Sequence, residues 1–146
     1  MSSEFDNCIE KRGLKKENPN KDMINKELKE AENDFNEATD SFEDKSFKWC
    51  IIQSYYAMFH AAKALVMSKG YREKSHYCLE IALNELFIKT GRIDEKFLDM
   101  FDETMGARKD ADYGLIYSPD TAQEALDNSG EFIALAKKML KSDTGD

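Results

Sequence analysis

Proline is nearly missing from this chain, with two in 146 residues, and glycine is sparse at seven. So few breakers leave long stretches free to run as uninterrupted helix. Histidine is as scarce, at two, and neither His60 nor His76 stands in an HExxH or Glu-x-x-His arrangement. That removes the zinc-protease helix and the di-iron bundle from consideration, and no metal is expected. The three cysteines, Cys8, Cys50 and Cys78, show no CxxC spacing. Cys50 and Cys78 fall inside apolar helical patterns, where a free thiol packs as a small hydrophobe, so a reduced, cytoplasmic setting is expected. Phosphate-binding glycine loops and the Gly-x-Ser-x-Gly elbow are absent, so neither a P-loop enzyme nor a serine hydrolase is expected, and no cofactor is implied. No apolar run reaches the ~18 residues of a membrane span, and the opening MSSEFDNCIEKRG lacks the apolar core of a signal peptide. Excess positive charge is missing as well. A net charge of -8 excludes a bulk electrostatic grip on nucleic acid, although a small local basic site stays compatible with it.

What is present is helical pattern. Phe47 to Lys69, FKWCIIQSYYAMFHAAKALVMSK, is too long for a strand and apolar on most sides of a helical wheel, which predicts a central helix wrapped by its neighbours. Before it, Ile24, Leu28, Ala31, Phe35, Ala38 and Phe42 make a narrow stripe on an otherwise charged helix spanning about 22–42, whose charges are expected to face solvent. Glu43-Asp44-Lys45 reads as a tight turn with Ser46 as N-cap, making these two helices antiparallel neighbours. Gly70 ends the central helix, and Tyr71 to Lys74 reads as a loop. A third helix starts at Ser75, faces inward through Leu79, Ala82, Leu83, Leu86 and Thr90, and stops at Gly91. Asp94 caps a fourth, with Phe97, Leu98, Phe101 and Met105 inward. Ser118-Pro119-Asp120 starts the last, which carries Ala122, Ala125, Phe132, Ile133, Ala136 and Leu140 on one face. No segment alternates with period two. The expected architecture is all-α, an up-and-down bundle of four long helices plus a shorter one over residues 21–141. Residues 1–20 are expected to form an N-terminal extension, either partly docked by one short turn through Phe5, Cys8 and Ile9 or flexible, and residues 142–146 a disordered tail.

Two polar groups on inward faces are candidate sites. Tyr56, His60 and Lys63 follow i, i+4, i+7 spacing along the central helix. They read either as satisfied core residues with Lys63 reaching water, or as the wall of a site. Arg108 and Asp112 are four apart on the face of Phe101 and Met105. An inward Arg must be paired, and Asp112 is its partner. The pair either staples the helix end to the bundle or positions the forked guanidinium to hold a phosphate or carboxylate.

Ser54-Tyr55-Tyr56-Ala57-Met58-Phe59-His60-Ala61-Ala62-Lys63-Ala64-Leu65 resembles the central-helix signature of the HEPN domain family (higher eukaryotes and prokaryotes nucleotide-binding). The resemblance continues through Ser68-Lys69-Gly70, Lys74-Ser75-His76, and Arg108 with Ala111-Asp112-Tyr113-Gly114, and covers roughly residues 22–141. It implies a helical bundle that forms a homodimer, pairs with a minimal nucleotidyltransferase in a toxin–antitoxin-like complex, and holds a nucleotide or RNA in a groove near Arg108. The residues it implies there are Tyr56, His60, Lys63, His76, Arg108 and Asp112. Many members of the family are metal-independent ribonucleases whose motif is an Arg followed four to six residues later by a His. Here four residues separate Arg108 from Tyr113, which stands where that His would be. Tyrosine, with a pKa near ~10, is a poor general base at neutral pH. The expectation is therefore a protein that binds rather than cleaves. The alternative is a ribonuclease toxin using Arg108 with Tyr113 or a spatially near His76. The resemblance also implies that Tyr113 is a residue the partner enzyme can nucleotidylate.

Overall fold

Six α-helices and one two-stranded ribbon make up residues 2–144, the part of the chain that the computed structural model describes. Helix α1 (Ser3–Glu10) is followed by β1 (Leu14–Lys16), α2 (Lys21–Glu43), α3 (Phe47–Ser68), β2 (Tyr71–Glu73), α4 (His76–Leu83), α5 (Glu95–Tyr113) and α6 (Pro119–Thr144). The fold is an all-α bundle. Among the described residues no helix is long and apolar enough to cross a membrane.

Helix α3 is the axis. Its buried set includes Cys50, Ile51, Ser54, Tyr55, Met58, Ala61, Ala62 and Leu65, which point in all directions around the helix, and α2, α5 and α6 pack around it. The α2–α3 connection is as short as expected. Lys45 takes a positive φ of 61° in the turn, and Ser46 precedes α3, although its hydroxyl makes no cap bond and only its carbonyl accepts, from Cys50 N. Side-chain caps are made at Asn20, Ser75 and Asp94, and Ser118 Oγ accepts from Thr121 N at the start of α6. Gly70 has a φ of 85°, the left-handed conformation that stops α3 without Cβ strain.

Four local features differ from expectation. Tyr71–Glu73, read as loop, is strand β2, and it pairs antiparallel with β1 so that Leu14 faces Glu73 and Lys16 faces Tyr71. Three-residue strands are too short to show alternation, so the pattern was invisible. The third helix does not continue uniformly to Gly91. It widens into a π-helical turn over Asn84–Ile88, in which Lys89 N bonds to Asn84 O. The wider turn shifts the inward face: Phe87 is fully buried, while Leu86 is only partly so and Thr90 is exposed. On α5 the buried seam is Phe97, Phe101, Thr104 and Ala111, with Leu98 and Met105 at its edge. Finally, Cys78 is not a free thiol. It is disulfide-bonded to Cys8, whereas Cys50 is buried and free as expected. The pairing follows from docking of α1, whose Phe5 is fully buried edge-on to Tyr71, which brings Cys8 onto the first turn of α4. At the other end α6 runs through Thr144, so the expected tail is helical as far as that residue, and 145–146 lie outside the described residues.

The disulfide spans 70 residues of sequence, and closing a loop of that size restricts the unfolded chain by about 4 kcal/mol in the chain-entropy description. Reductant, or Cys8→Ser, should therefore lower the melting temperature by roughly 10 °C, and Cys50→Ser should not reproduce that loss. Identical melting with and without reductant, with three alkylatable thiols in the non-reduced denatured chain, would contradict the cross-link.

Candidate functional site

Arg108 sits on α5 where the apolar seam gives way to Asp112 and Tyr113. Its guanidinium carbon lies 5.7 Å from the ring centre of Tyr55, 5.4 Å from Tyr56 and 5.4 Å from Tyr113, so three aromatic faces surround one cation. Nη2 donates to the Tyr56 hydroxyl at 3.0 Å and lies 3.3 Å from Asp112 Oδ2. Both contacts run through one nitrogen. Nε is buried and has no hydrogen-bond partner among the described residues. The side chain is 14% exposed, yet its neighbour Tyr113 is 74% exposed, so the cation is immobilised beside an open surface.

The same aromatic group brings in His76, the first residue of α4. Its ring stacks on Phe59 at 4.4 Å and lies edge-on to Tyr56 at 6.3 Å, and Nδ1 is 2.5 Å from the Tyr55 hydroxyl. Burial, then the charges of Arg108 and Lys109, hold His76 below the usual imidazole range. Burial holds the Tyr55 hydroxyl well above the phenol range, so it keeps its proton. A buried tyrosine O–H needs an acceptor, and Nδ1 of a neutral imidazole supplies it. This assigns Nε2–H to His76 and makes its free nitrogen a donor rather than a base. One turn further, burial together with the Asp102 carboxylate pushes Glu80 up to about 7, with Lys109 partly offsetting them.

The expected stripe on α3 is divided. Tyr56 joins Arg108, but His60 and Lys63 face α2. His60 Nδ1 is 2.7 Å from Glu27 Oε2, and Nε2 is 3.6 Å from Asp34 Oδ2. Lys63 bridges Glu27 at 3.3 Å and Glu73 at 3.6 Å. The hydrogen bond that His60 donates to Glu27 raises His60 above the ordinary imidazole value despite burial, and burial raises Glu27 less than His60 and Lys63 together lower it. Thus one face of α2, expected to be a solvated charge surface, instead supplies partly buried ion-pair partners.

The arrangement around Arg108 can hold an anion by donor groups and stack a planar ring on exposed aromatics. A cleft of about 480 Å³ lies elsewhere, between α2 and α6, lined by Ile24, Leu28, Glu32, Lys137 and Leu140. Sequence reasoning missed Tyr55, Phe59, Glu80 and Asp102. Glu80 was findable, because it lies four residues after His76 and so shares its helix face. Asp102 had no comparable signal, since its neighbour comes from another helix.

The Glu80 shift has a stability consequence. A carboxyl whose folded pKa is raised contributes stability that is present below its unfolded value and is lost as pH rises toward 7. Glu80→Gln should therefore stabilise the protein at pH 8 by about 1 kcal/mol after solvent screening, and the gain should vanish near pH 4. Melting curves at the two pH values check this, and an equal effect at both would refute it.

The HEPN domain family matches residues 24–139 of the chain. A Methanocaldococcus jannaschii protein named "Putative toxin" is 28% identical over 83% of this chain and 97% of its own length. A second protein of that name from the same organism is 25% identical, over 82% of each. A "UPF0332 protein" of Archaeoglobus fulgidus is 28% identical over 82% of this chain and 96% of its own. The matched span runs from the first turn of α2 almost to the end of α6, and so takes in both walls of the Arg108 surface. The chain belongs to the HEPN domain family.

Proposed function

We propose that this protein is the HEPN member of a toxin–antitoxin-like pair. In this reading it is a homodimer that binds a minimal nucleotidyltransferase and holds a nucleotide or RNA phosphate at Arg108. The observation that carries the reading is the state of Arg108. A guanidinium fixed by three tyrosine rings and one carboxylate, with a buried Nε donor left unpaired, is arranged for a ligand acceptor. His76 adds a neutral N–H donor to the same group, and Tyr113 offers an exposed ring for stacking. The toxin role rests on the names of the two M. jannaschii relatives.

Protein–protein contact is supported by the connector beyond α5. Tyr113, Leu115, Ile116 and Tyr117 are 74%, 69%, 68% and 48% exposed, an apolar run that monomers rarely present to water. It directly follows Arg108 and Asp112, so a partner seated there would close the open side of the surface. A net charge of -8 is compatible with assembly by such contacts. Exposure also makes the Tyr113 hydroxyl accessible to a nucleotidylating partner.

Ribonuclease action is the second reading, and one observation favours it: His76 approaches Arg108 in space although Tyr113 holds the motif position. Against it stands the bond from Tyr55, which occupies the nitrogen a general base would use.

Mixing the protein with the nucleotidyltransferase encoded beside it should give a single earlier peak on size exclusion, and Arg108→Ala should retain the complex while losing nucleotide binding. Independent elution at micromolar concentration would overturn the pairing. For the second reading, RNA cleavage in chelator should disappear in Arg108→Ala and persist to more acidic pH than an ordinary imidazole base allows, because burial and then the charges of Arg108 and Lys109 lower His76. Wild-type protein that leaves RNA intact removes that reading.

A further inference from the structure

The His60 cluster brings together side chains of the types that ligate metal ions. Glu30 and Asp34 on α2 and His60 on α3 each offer a ligand atom, and these atoms lie within 4.8 Å of one another. His60 is oriented from behind. Its Nδ1 bonds Glu27 Oε2 at 2.7 Å, and the other oxygen of Glu27 is held by Lys63 at 3.3 Å, with Lys63 tied in turn to Glu73. Glu27 is the carboxylate that accepts Nδ1–H, and that bond leaves the lone pair on Nε2. This is the carboxylate–histidine arrangement that prepares an imidazole for a metal ion.

Nε2 in turn faces Asp34 Oδ2 at 3.6 Å, too far for a hydrogen bond. Two ligand bonds of about 2.0–2.2 Å at a tetrahedral angle separate their donor atoms by roughly 3.3–3.6 Å. The observed gap therefore also fits two ligands of one ion. Asp34 is 18% exposed, and Lys63 is engaged by Glu27 and Glu73 rather than by Asp34.

We propose that Glu30, Asp34 and His60 bind a first-row divalent cation, with Glu27 as the positioning residue. One imidazole and two carboxylates suit zinc, cobalt or manganese rather than calcium or magnesium, whose sites are built from oxygen alone. Two carboxylates neutralise the ion, and water completes its coordination. The ion pins α2 to α3 and is separate from the Arg108 surface, so the proposal does not rest on the function proposed there.

Tag-free protein stripped with chelator should bind one equivalent of Co2+ in calorimetry and develop the visible d–d absorption of a nitrogen- and oxygen-ligated ion, displaced by Zn2+. His60→Ala and Asp34→Asn should each abolish the band, Glu27→Gln should weaken binding roughly 10–100-fold, and His76→Ala and Arg108→Ala should leave it unchanged. Circular dichroism confirms that each variant is folded, and Asp34→Asn, which keeps the side-chain volume, serves if His60→Ala is not. Lack of saturable binding by the wild type, or binding that survives both ligand variants or is lost in His76→Ala, would overturn the proposal.

Discussion

A 22-residue helix with almost no polar side can exist in water only if other helices enclose it, and burial of α3 is the constraint from which the rest of the structure follows. Each large apolar side chain that α3 buries contributes about 1.5–3 kcal/mol, so no single contact matters as much as complete enclosure. Helices α2, α5 and α6 are amphipathic because each has one side against α3 and one against solvent. The short turn after α2 and the glycine stop at Gly70 set the direction of the chain at both ends of that helix.

Tyr56, His60 and Lys63 of α3 sit where enclosure is incomplete, and each is answered by charge from a neighbour. Tyr56 meets Arg108 from α5, and His60 and Lys63 meet Glu27 from α2. Partly buried charge is costly unless it is paired, so these contacts keep the open strip of the helix compatible with folding. The two groups differ in what they leave over. Around Arg108 a donor is left without an acceptor, which favours an anion. Around His60 carboxylates outnumber cations, which favours a positive ion. One helix thus divides two kinds of electrostatic demand between its neighbours.

Periodicity carried most of the fold into view. The α2, α3, α5 and α6 spans, the Gly70 stop and the caps at Ser75, Asp94 and Ser118 all follow from local chemistry that short stretches contain. The ribbon and the Cys8–Cys78 bond did not, because each depends on residues far apart meeting in space. The site was legible to the same degree. Arg108 and Asp112 pair within one helix turn, and that spacing is readable. His76 reaches Arg108 only through the rings of Tyr55 and Tyr56, and Asp34 reaches His60 only because α2 and α3 are antiparallel. Charges on α2 looked like a solvated face because sequence alone does not say which side of the apolar stripe is covered.

The central claim is that Arg108 is held ready for an anion. Its Nε–H can be followed directly by nitrogen-15 NMR while a mononucleotide is added. A downfield, saturable shift of that one resonance, matched by His76 and Tyr113 and absent with the corresponding nucleoside, is the predicted result. An Nε–H that stays unmoved while residues elsewhere respond would contradict the account.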